Sequence, residues 1–177
     1  MKKVIQYSVI AIMILSGIFA VWLPLHIWPK EVVNDFEGVM FVEGDPQSFE
    51  TVSISLNGHI NNRLFGGRTY LGKIIIDKMD VREEWKTQNV RINFNSRGLG
   101  IMYYLDEKDS DYSLVPHAYV SMGDMAGSLA MSLIEEGKAE THMFKGSTFF
   151  AGPAASRDEA VALSNDLMVK FLDNPLE

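Results

Sequence analysis

Three histidines after the first quarter of the chain, His59, His117 and His142, are the side chains best suited to proton transfer or metal binding near neutral pH. None of them belongs to an H-x-x-x-H, H-x-H or H-E-x-x-H pattern. His59 falls on the polar side of an alternating strand pattern, where an exposed histidine is expected. The sequence therefore predicts no catalytic residue and no metal site, unless the fold brings the histidines together.

Other chemical signatures are also missing from the sequence. The acidic stretch 106–111 (DEKDSD) offers carboxylates of the kind that Ca²⁺ prefers, but the glycine and the distal glutamate of a calcium loop are absent in register. The chain has no G-x-S-x-G elbow, no S-x-x-K pair and no phosphate-binding loop. It has no cysteine, which removes thiol catalysis, disulfides and cysteine-based zinc sites. We therefore predict no cofactor.

The start of the last helix is the one local pattern that suggests a ligand. Ser156 and Glu159 form an S-x-x-E capping box ahead of an apolar run with helical spacing. Helix N-termini attract anions through their N–H groups, and Arg157 adds a positive charge. A plain helix cap is the alternative, because Asp158 and Glu159 already compensate for the helix dipole. Ser156 and Arg157 are our candidate ligand-binding residues.

Alternation between apolar and polar residues predicts a mainly β domain. Thr51–Ile60 is the clearest case: Val52, Ile54 and Leu56 alternate with polar residues, which indicates one buried face and one wet face. Because Ile60 continues the apolar set, the next turn is expected after it, between 61 and 67, rather than at 57–58. The further predicted strands are 36–42, 69–79, 90–94, 99–105, 114–121 and 147–151.

Residues 123–136 fit two periods. Met125, Leu129 and Leu133 fit a helix, whereas Leu129, Met131 and Leu133 alternate with small residues as in a strand. The neighbouring segments are all predicted as strands. We therefore favour a strand over 128–135.

The N-terminal stretch Val4–Trp28 has no charged side chain and is long enough to cross a bilayer. Lys2 and Lys3 precede it and predict a cytoplasmic N-terminus. Pro24 is expected to end the regular helix. A cleaved signal peptide is the alternative, but its apolar region would be shorter and followed by a small-x-small site. We therefore predict an uncleaved anchor that contacts the lipid bilayer, with the rest of the chain extracytoplasmic.

Three features resemble small single-pass membrane proteins of Gram-positive bacteria that have no known function. They are the basic tail with its span, the stretch Leu64-Phe65 with Leu71–Asp77, and the stretch Ala151–Ala160. The resemblance implies a β-rich outer domain and supports the strand over 128–135. It implies no reaction and supplies no catalytic residue.

The predicted architecture is an N-terminal transmembrane helix, an antiparallel β sandwich or curled sheet, and an amphipathic C-terminal helix over 157–172. Residues 1–28 would form the tail and anchor, 29–35 a stalk and 36–177 the outer domain. The net charge of −7 argues against nucleic-acid binding. We predict a non-enzymatic binding module that meets another protein of the cell envelope. The alternatives are an extracytoplasmic hydrolase whose site forms only in the fold, and an accessory subunit of a transporter or sensor.

Overall fold

Eight antiparallel strands form a closed barrel in a computed structural model that describes residues 2–63, 66–77, 89–105, 116–134, 144 and 146–177. Each strand pairs with the next along the chain, and the first strand also pairs with the last. A 3₁₀ turn lies between the sixth and the seventh strand. The elements are α1 Lys2–Ile27, β1 Lys30–Val42, β2 Phe49–Asn62, β3 Arg68–Ile76, β4 Asn89–Phe94, β5 Leu99–Leu105, β6 Pro116–Met122, the 3₁₀ turn Asp124–Ala126, β7 Leu129–Leu133, β8 Thr148–Gly152 and α2 Arg157–Met168.

The mainly β antiparallel class is confirmed, but the predicted sandwich or curled sheet is wrong because the two ends of the sheet meet. Phe41 of β1 lies opposite Phe49 of β2 on one side and opposite Phe149 of β8 on the other. Alternation along a strand specifies which face is buried but not which strands are its neighbours, so closure of the sheet cannot be predicted from it. Residues 30–35, predicted as a stalk, instead belong to the first strand.

The barrel interior is filled by apolar side chains, as expected for a barrel of this size. Val52, Ile54 and Leu56 of β2 point inward and are fully buried, which confirms the alternation read from the sequence. The turn after β2 also lies where the sequence predicts it, since β3 begins at Arg68. The other inward residues include Tyr70, Val90, Ile92, Phe94, Met102, Val120, Leu129, Met131 and Phe150.

The 3₁₀ turn enters the barrel core after β6. Met125 and Ala126 both have positive φ angles, 53° and 54°, which are unfavourable for residues with a side chain. Asn34 compensates from β1, since its Nδ2 donates to the carbonyl oxygens of Met125 (3.2 Å) and Ala126 (3.0 Å). Ala126 is fully buried. β7 follows this turn, so the preference for a strand in this region is confirmed.

α2 covers the outer faces of β7, β8 and β1, where a second apolar cluster lies outside the barrel. Val39 and Phe41 of β1 are buried there together with Ala160 and Met168 of the helix. This explains why Val39 is buried although neighbouring positions of β1 point into the barrel. The predicted C-terminal helix is confirmed from its start at Arg157, but it ends at Met168 and not at residue 172.

The N-terminal segment forms the helix α1, which continues past Pro24 to Ile27. The predicted helix end at Pro24 is therefore wrong, because a proline removes only one N–H donor and later turns can still form. Among the helices of the described residues, none has both the length and the apolar character needed to cross a membrane. This finding overturns the predicted transmembrane anchor.

We predict that Gly58→Ala destabilises the barrel. A Cβ on Gly58 would lie 2.7 Å from the Cα of Gly72 and 2.9 Å from the Tyr70 ring. The Gly72 backbone cannot move without displacing β3, and the Tyr70 ring is fully buried. Overpacking of this kind costs about 1–3 kcal/mol of unfolding free energy, which urea denaturation measures. Gly127→Ala is the matched control, since Gly127 has a right-handed helical φ and its Cβ would lie 3.4 Å from the Asp124 oxygen. Equal stability of the two variants would contradict the tight packing of β2 on β3.

Candidate functional site

An open groove lies on the outer wall of the barrel, beside the segment that joins α1 to β1. Its volume is about 680 Å³, within the range typical of small-molecule sites. We call it the wall groove. Its lining combines one acid, one imidazole, one ammonium and two amides with bare backbone, from Pro29, Glu31, Asn57, Gly58, His59, Gly72, Lys73 and Asn89.

The strand register brings the polar side chains of the wall groove together. Glu31 of β1 lies directly opposite His59 of β2, and Asn57 of β2 lies directly opposite Lys73 of β3. Residues in such positions have Cβ atoms about 4.5–5.5 Å apart. Asn57 and His59 are two residues apart on one strand, so they share its outer face. The carboxylate of Glu31, the imidazole of His59 and the ammonium of Lys73 therefore lie on three neighbouring strands.

The floor of the wall groove is backbone, because Gly58 and Gly72 lie opposite each other on β2 and β3. Behind them, inside the barrel, the fully buried ring of Tyr70 fills the space that side chains would take. The Tyr70 hydroxyl donates to the carbonyl oxygen of Lys73 at 2.8 Å. Burial raises the pKa of Tyr70 to about 12. The tyrosine thus ties the floor of the groove to the core.

The wall groove is suited to binding a polar ligand. Lys73 can donate charge-assisted hydrogen bonds to an anionic group, and Glu31 can accept them from a donor. Asn57, His59 and Lys73 are exposed to solvent, so a ligand can reach them. Glu31 and His59 place an acid opposite an imidazole, but the described lining residues include no serine, threonine or cysteine as a nucleophile.

His59 and His117 do not share a site. His59 lies on β2 and His117 on β6, four strands away in a barrel of eight and therefore on the opposite wall. The His117 ring packs against Tyr104, with 4.9 Å between ring centroids. His142 and the acidic stretch 106–111 lie outside the described residues. Within the described part of the chain, no group of three or more histidine, aspartate or glutamate side chains is arranged to hold a metal ion.

The candidate residues Ser156 and Arg157 lie at the start of α2 and have intramolecular partners. Ser156 Oγ accepts from the backbone N–H of Glu159 at 3.3 Å, and Glu159 Oε2 accepts from the N–H of Ala155 at 2.8 Å. Arg157 donates to the backbone oxygen of Glu177, and its guanidinium lies 5.6 Å from the centre of the Phe41 ring. These contacts make a cap and tie the C-terminus to the barrel. Anion binding there stays a prediction.

Most residues of the wall groove cannot be predicted from the sequence. The alternation in β2 predicts that Asn57 and His59 point outward, and that signal was available. Nothing in the sequence indicates that Lys73 lies opposite Asn57, because the register of two strands depends on the turn between them. Glu31 lies in the segment 29–35 that the sequence predicts as a stalk, so the sequence does not place it on a strand.

Comparisons with protein-family models, with curated proteins and with solved structures found no match for this chain. The resemblance to Gram-positive membrane proteins therefore stays a prediction, and the function has to be argued from the geometry.

We predict that Tyr70 makes the barrel less stable at high pH. Its pKa is about 10 in the unfolded chain and about 12 in the barrel, so between these values the unfolded chain loses a proton that the folded protein keeps. The unfolding free energy should fall as pH rises from 10 to 12, by at most about 1.4 kcal/mol per pH unit for one group. Burial also raises the pKa of Tyr104, so Tyr104 also lowers the unfolding free energy at high pH in every variant that retains it.

Tyr70→Phe isolates the contribution of Tyr70. At neutral pH the variant should have an unfolding free energy about 1 kcal/mol lower than that of the natural protein, because the hydrogen bond is missing. Above pH 10 its unfolding free energy should decline less steeply than that of the natural protein. Urea denaturation at a series of pH values measures both effects. Parallel declines of the variant and the natural protein would contradict the prediction.

We also predict that Ser156 stabilises α2 as a cap. Ser156→Ala removes the acceptor for the Glu159 N–H and should lower the unfolding free energy by about 1 kcal/mol. Ser156→Asp keeps an acceptor oxygen at this position, so its unfolding free energy should remain close to that of the natural protein. Chemical denaturation compares the three proteins, and an unchanged stability of the alanine variant would refute the capping role.

Proposed function

We propose that this protein is a non-enzymatic binding module whose wall groove holds a small polar ligand with an anionic group. The observation that carries the proposal is the convergence of Glu31, Asn57, His59 and Lys73 on one groove of about 680 Å³. In this arrangement Lys73 receives the anionic group, Glu31 accepts from a donor of the ligand, and the amides complete the hydrogen bonds.

The rigidity of the wall supports binding. β2 and β3 pair over nine residue positions, and each has a further neighbour, so their backbones are fixed from both sides. The groove therefore needs little reordering when a ligand enters, and a preorganised site retains more of its interaction energy as affinity. The Tyr70 hydrogen bond adds a link between the groove and the core.

An extracytoplasmic hydrolase is the second candidate, and the Glu31–His59 pair favours it. A glutamate opposite a histidine can orient the imidazole as a general base toward a water molecule. The envelope location and an envelope protein as partner stay predictions from the sequence, as does an accessory role beside a transporter or sensor. The proposed groove ligand does not depend on them.

We predict that Lys73→Gln weakens ligand binding. Amide spectra of the full chain, labelled with a nitrogen isotope, would be recorded during titration with acetate, succinate, citrate and inorganic phosphate. At least one of these anions should cause saturable shifts at Asn57, Gly58, His59 and Gly72, and Lys73→Gln should weaken that binding about tenfold through the lost charge-assisted hydrogen bond.

Lys170→Gln is the control, because it removes an equal charge just beyond the end of α2, on another part of the surface. An anion that shifts no groove amide at millimolar concentration, or binding that Lys73→Gln leaves unchanged, would contradict the proposed function. Turnover of an ester or amide probe that is lost in His59→Gln would favour the hydrolase instead.

A further inference from the structure

The first strand is longer than the seam that closes the barrel. β1 runs over 13 residues, Lys30–Val42, but β8 pairs with it only between residues 39 and 42. Among the strands that the structure describes, β2 alone pairs with residues 30–38. The first part of β1 therefore has one strand neighbour instead of two. We call residues 31–35 the open edge.

The hydrogen bonds of β1 identify the backbone groups that the open edge offers. The N–H of Val42 donates to the Ser48 oxygen in the connection to β2, so the even-numbered residues of β1 bond toward β2. The Glu37 oxygen accepts from the N–H of Ala154, which follows β8, so the odd-numbered residues bond toward the other side. The odd-numbered residues of the open edge therefore direct their N–H and C=O groups to a side where no described strand pairs with them.

The chain after β8 explains why this edge stays open. β8 ends at Gly152, and the next residue, Pro153, has no N–H to donate to β1. The N–H of Ala154 makes the last bond, to the Glu37 oxygen at 3.1 Å, and the chain then reaches the helix cap at Ser156. The segment that could have covered the open edge forms α2 instead.

The side chains of the open edge are exposed. Val33 is 58% exposed, and Glu31 and Asp35 are exposed on either side of it. All three point outward, since the residues between them point into the barrel. Asp35 accepts a hydrogen bond from Ser55 Oγ, which holds the carboxylate in place and leaves it further lone pairs for a cation. The outer face of the open edge is thus an apolar side chain between two carboxylates.

We propose that the open edge binds an extended basic segment of another protein, which adds to β1 as a further strand. In strand addition the backbone hydrogen bonds supply affinity and the alternate side chains supply selectivity. Opposite charges on paired strands attract and apolar pairs pack. The preferred segment therefore has a lysine or arginine opposite each carboxylate and an apolar residue opposite Val33. The net charge of −7 also attracts a basic segment.

The inner side of the open edge limits the other positions of the segment. Asn34 donates there to the carbonyl oxygens of Met125 and Ala126, so the 3₁₀ turn lies against this side of β1. Residues of the added strand that point inward must then be small. The proposal does not depend on the ligand of the wall groove. Because Glu31 also lines that groove, the tests use Val33 and Asp35.

A second copy of this chain is a poorer partner for the open edge. Two copies related by a two-fold axis would pair their edges antiparallel, and a pair centred on Val33 would place Glu31 opposite Asp35. Like charges directly opposite each other on paired strands are destabilising. Natural proteins use charged residues in this way to prevent self-association of edge strands. A basic strand turns the same two carboxylates into attractive contacts.

Hydrogen exchange of the full chain tests whether the edge is open. The amides of residues 31 and 33 should exchange about tenfold faster, or more, than those of residues 32 and 34, because the latter bond to β2. Equal protection of the odd-numbered and even-numbered amides would overturn the open edge.

Binding is tested with the blocked heptapeptide Thr-Lys-Ala-Val-Ala-Lys-Thr, titrated into the isotope-labelled full chain. It should bind saturably and slow exchange at residues 31, 33 and 35. Its affinity should exceed that of Thr-Glu-Ala-Val-Ala-Glu-Thr by about tenfold and should fall as salt increases. N-methylation of its valine, which removes a ladder donor, should abolish the binding.

Val33→Pro removes an N–H of the open edge and should weaken the basic peptide about tenfold, whereas Val33→Thr retains the N–H and should stay within about threefold. Proline is tolerated on an edge strand where its N–H would face away from the paired strand, and urea denaturation confirms that each variant is folded. Asp35→Asn keeps the acceptor for Ser55, and it should weaken the basic peptide about threefold and reduce the salt dependence.

Four results would overturn the proposal. They are the absence of saturable binding by the basic peptide, equal affinity for the acidic peptide, affinity that Val33→Pro leaves unchanged, and affinity that Asp35→Asn leaves unchanged. Dimerisation of the natural protein that Val33→Pro abolishes would assign the open edge to a second copy instead. Neither Val33 nor Asp35 lines the wall groove, so anion binding at Lys73 in these variants tests the proposed function separately.

Discussion

The pairing of β1 with β8 is the constraint on which the rest of this structure depends. At this seam the backbones approach closely, since a Cβ on Gly152 would lie 3.1 Å from the Cα of Gly38 and 2.8 Å from the ring of Phe36. The pairing joins the two edge strands of the sheet into a closed barrel. It also gives every strand two neighbours, and the outer wall becomes a firm support for side chains.

Closure divides the outside of the barrel into two kinds of surface. Around the seam, an apolar cluster on the outer faces of β7, β8 and the Val39–Phe41 end of β1 lies under α2. On the other side, β2, β3 and β4 direct amides, cations and His59 to solvent. Since one interior core is shared by both sides, the side chains that line the wall groove contribute little to apolar burial.

The sequence predicts those features of the fold that depend on single segments. Alternation in β2 identifies Ile54 and Leu56 as core, and the capping box places the start of α2 correctly at Arg157. Closure, the register of β2 on β3 and the full length of β1 depend on contacts between segments far apart in the chain. The predicted transmembrane anchor is wrong for a different reason. It depended on the apolar composition of the N-terminal stretch alone.

Most of the candidate site also depends on contacts between distant segments and therefore cannot be predicted from the sequence. His59 could be placed on a wet face, but its neighbours Glu31 and Lys73 come from strands whose pairing the sequence does not encode in any short pattern. Asn34 is a similar case, since it stabilises Met125 and Ala126 across the barrel from a position about ninety residues earlier in the chain. A site formed by side chains from several strands can be identified only when the pairing of those strands is known.

Hydrogen exchange of the native protein tests closure of the barrel most directly. If β1 and β8 pair as described, the ladder amides between residues 39–42 and 148–151 should be protected as strongly as those between β4 and β5 in the middle of the sheet. Exchange at the seam as fast as that of an unpaired edge strand would show that the barrel is open, and would contradict the closed barrel that supports the wall groove.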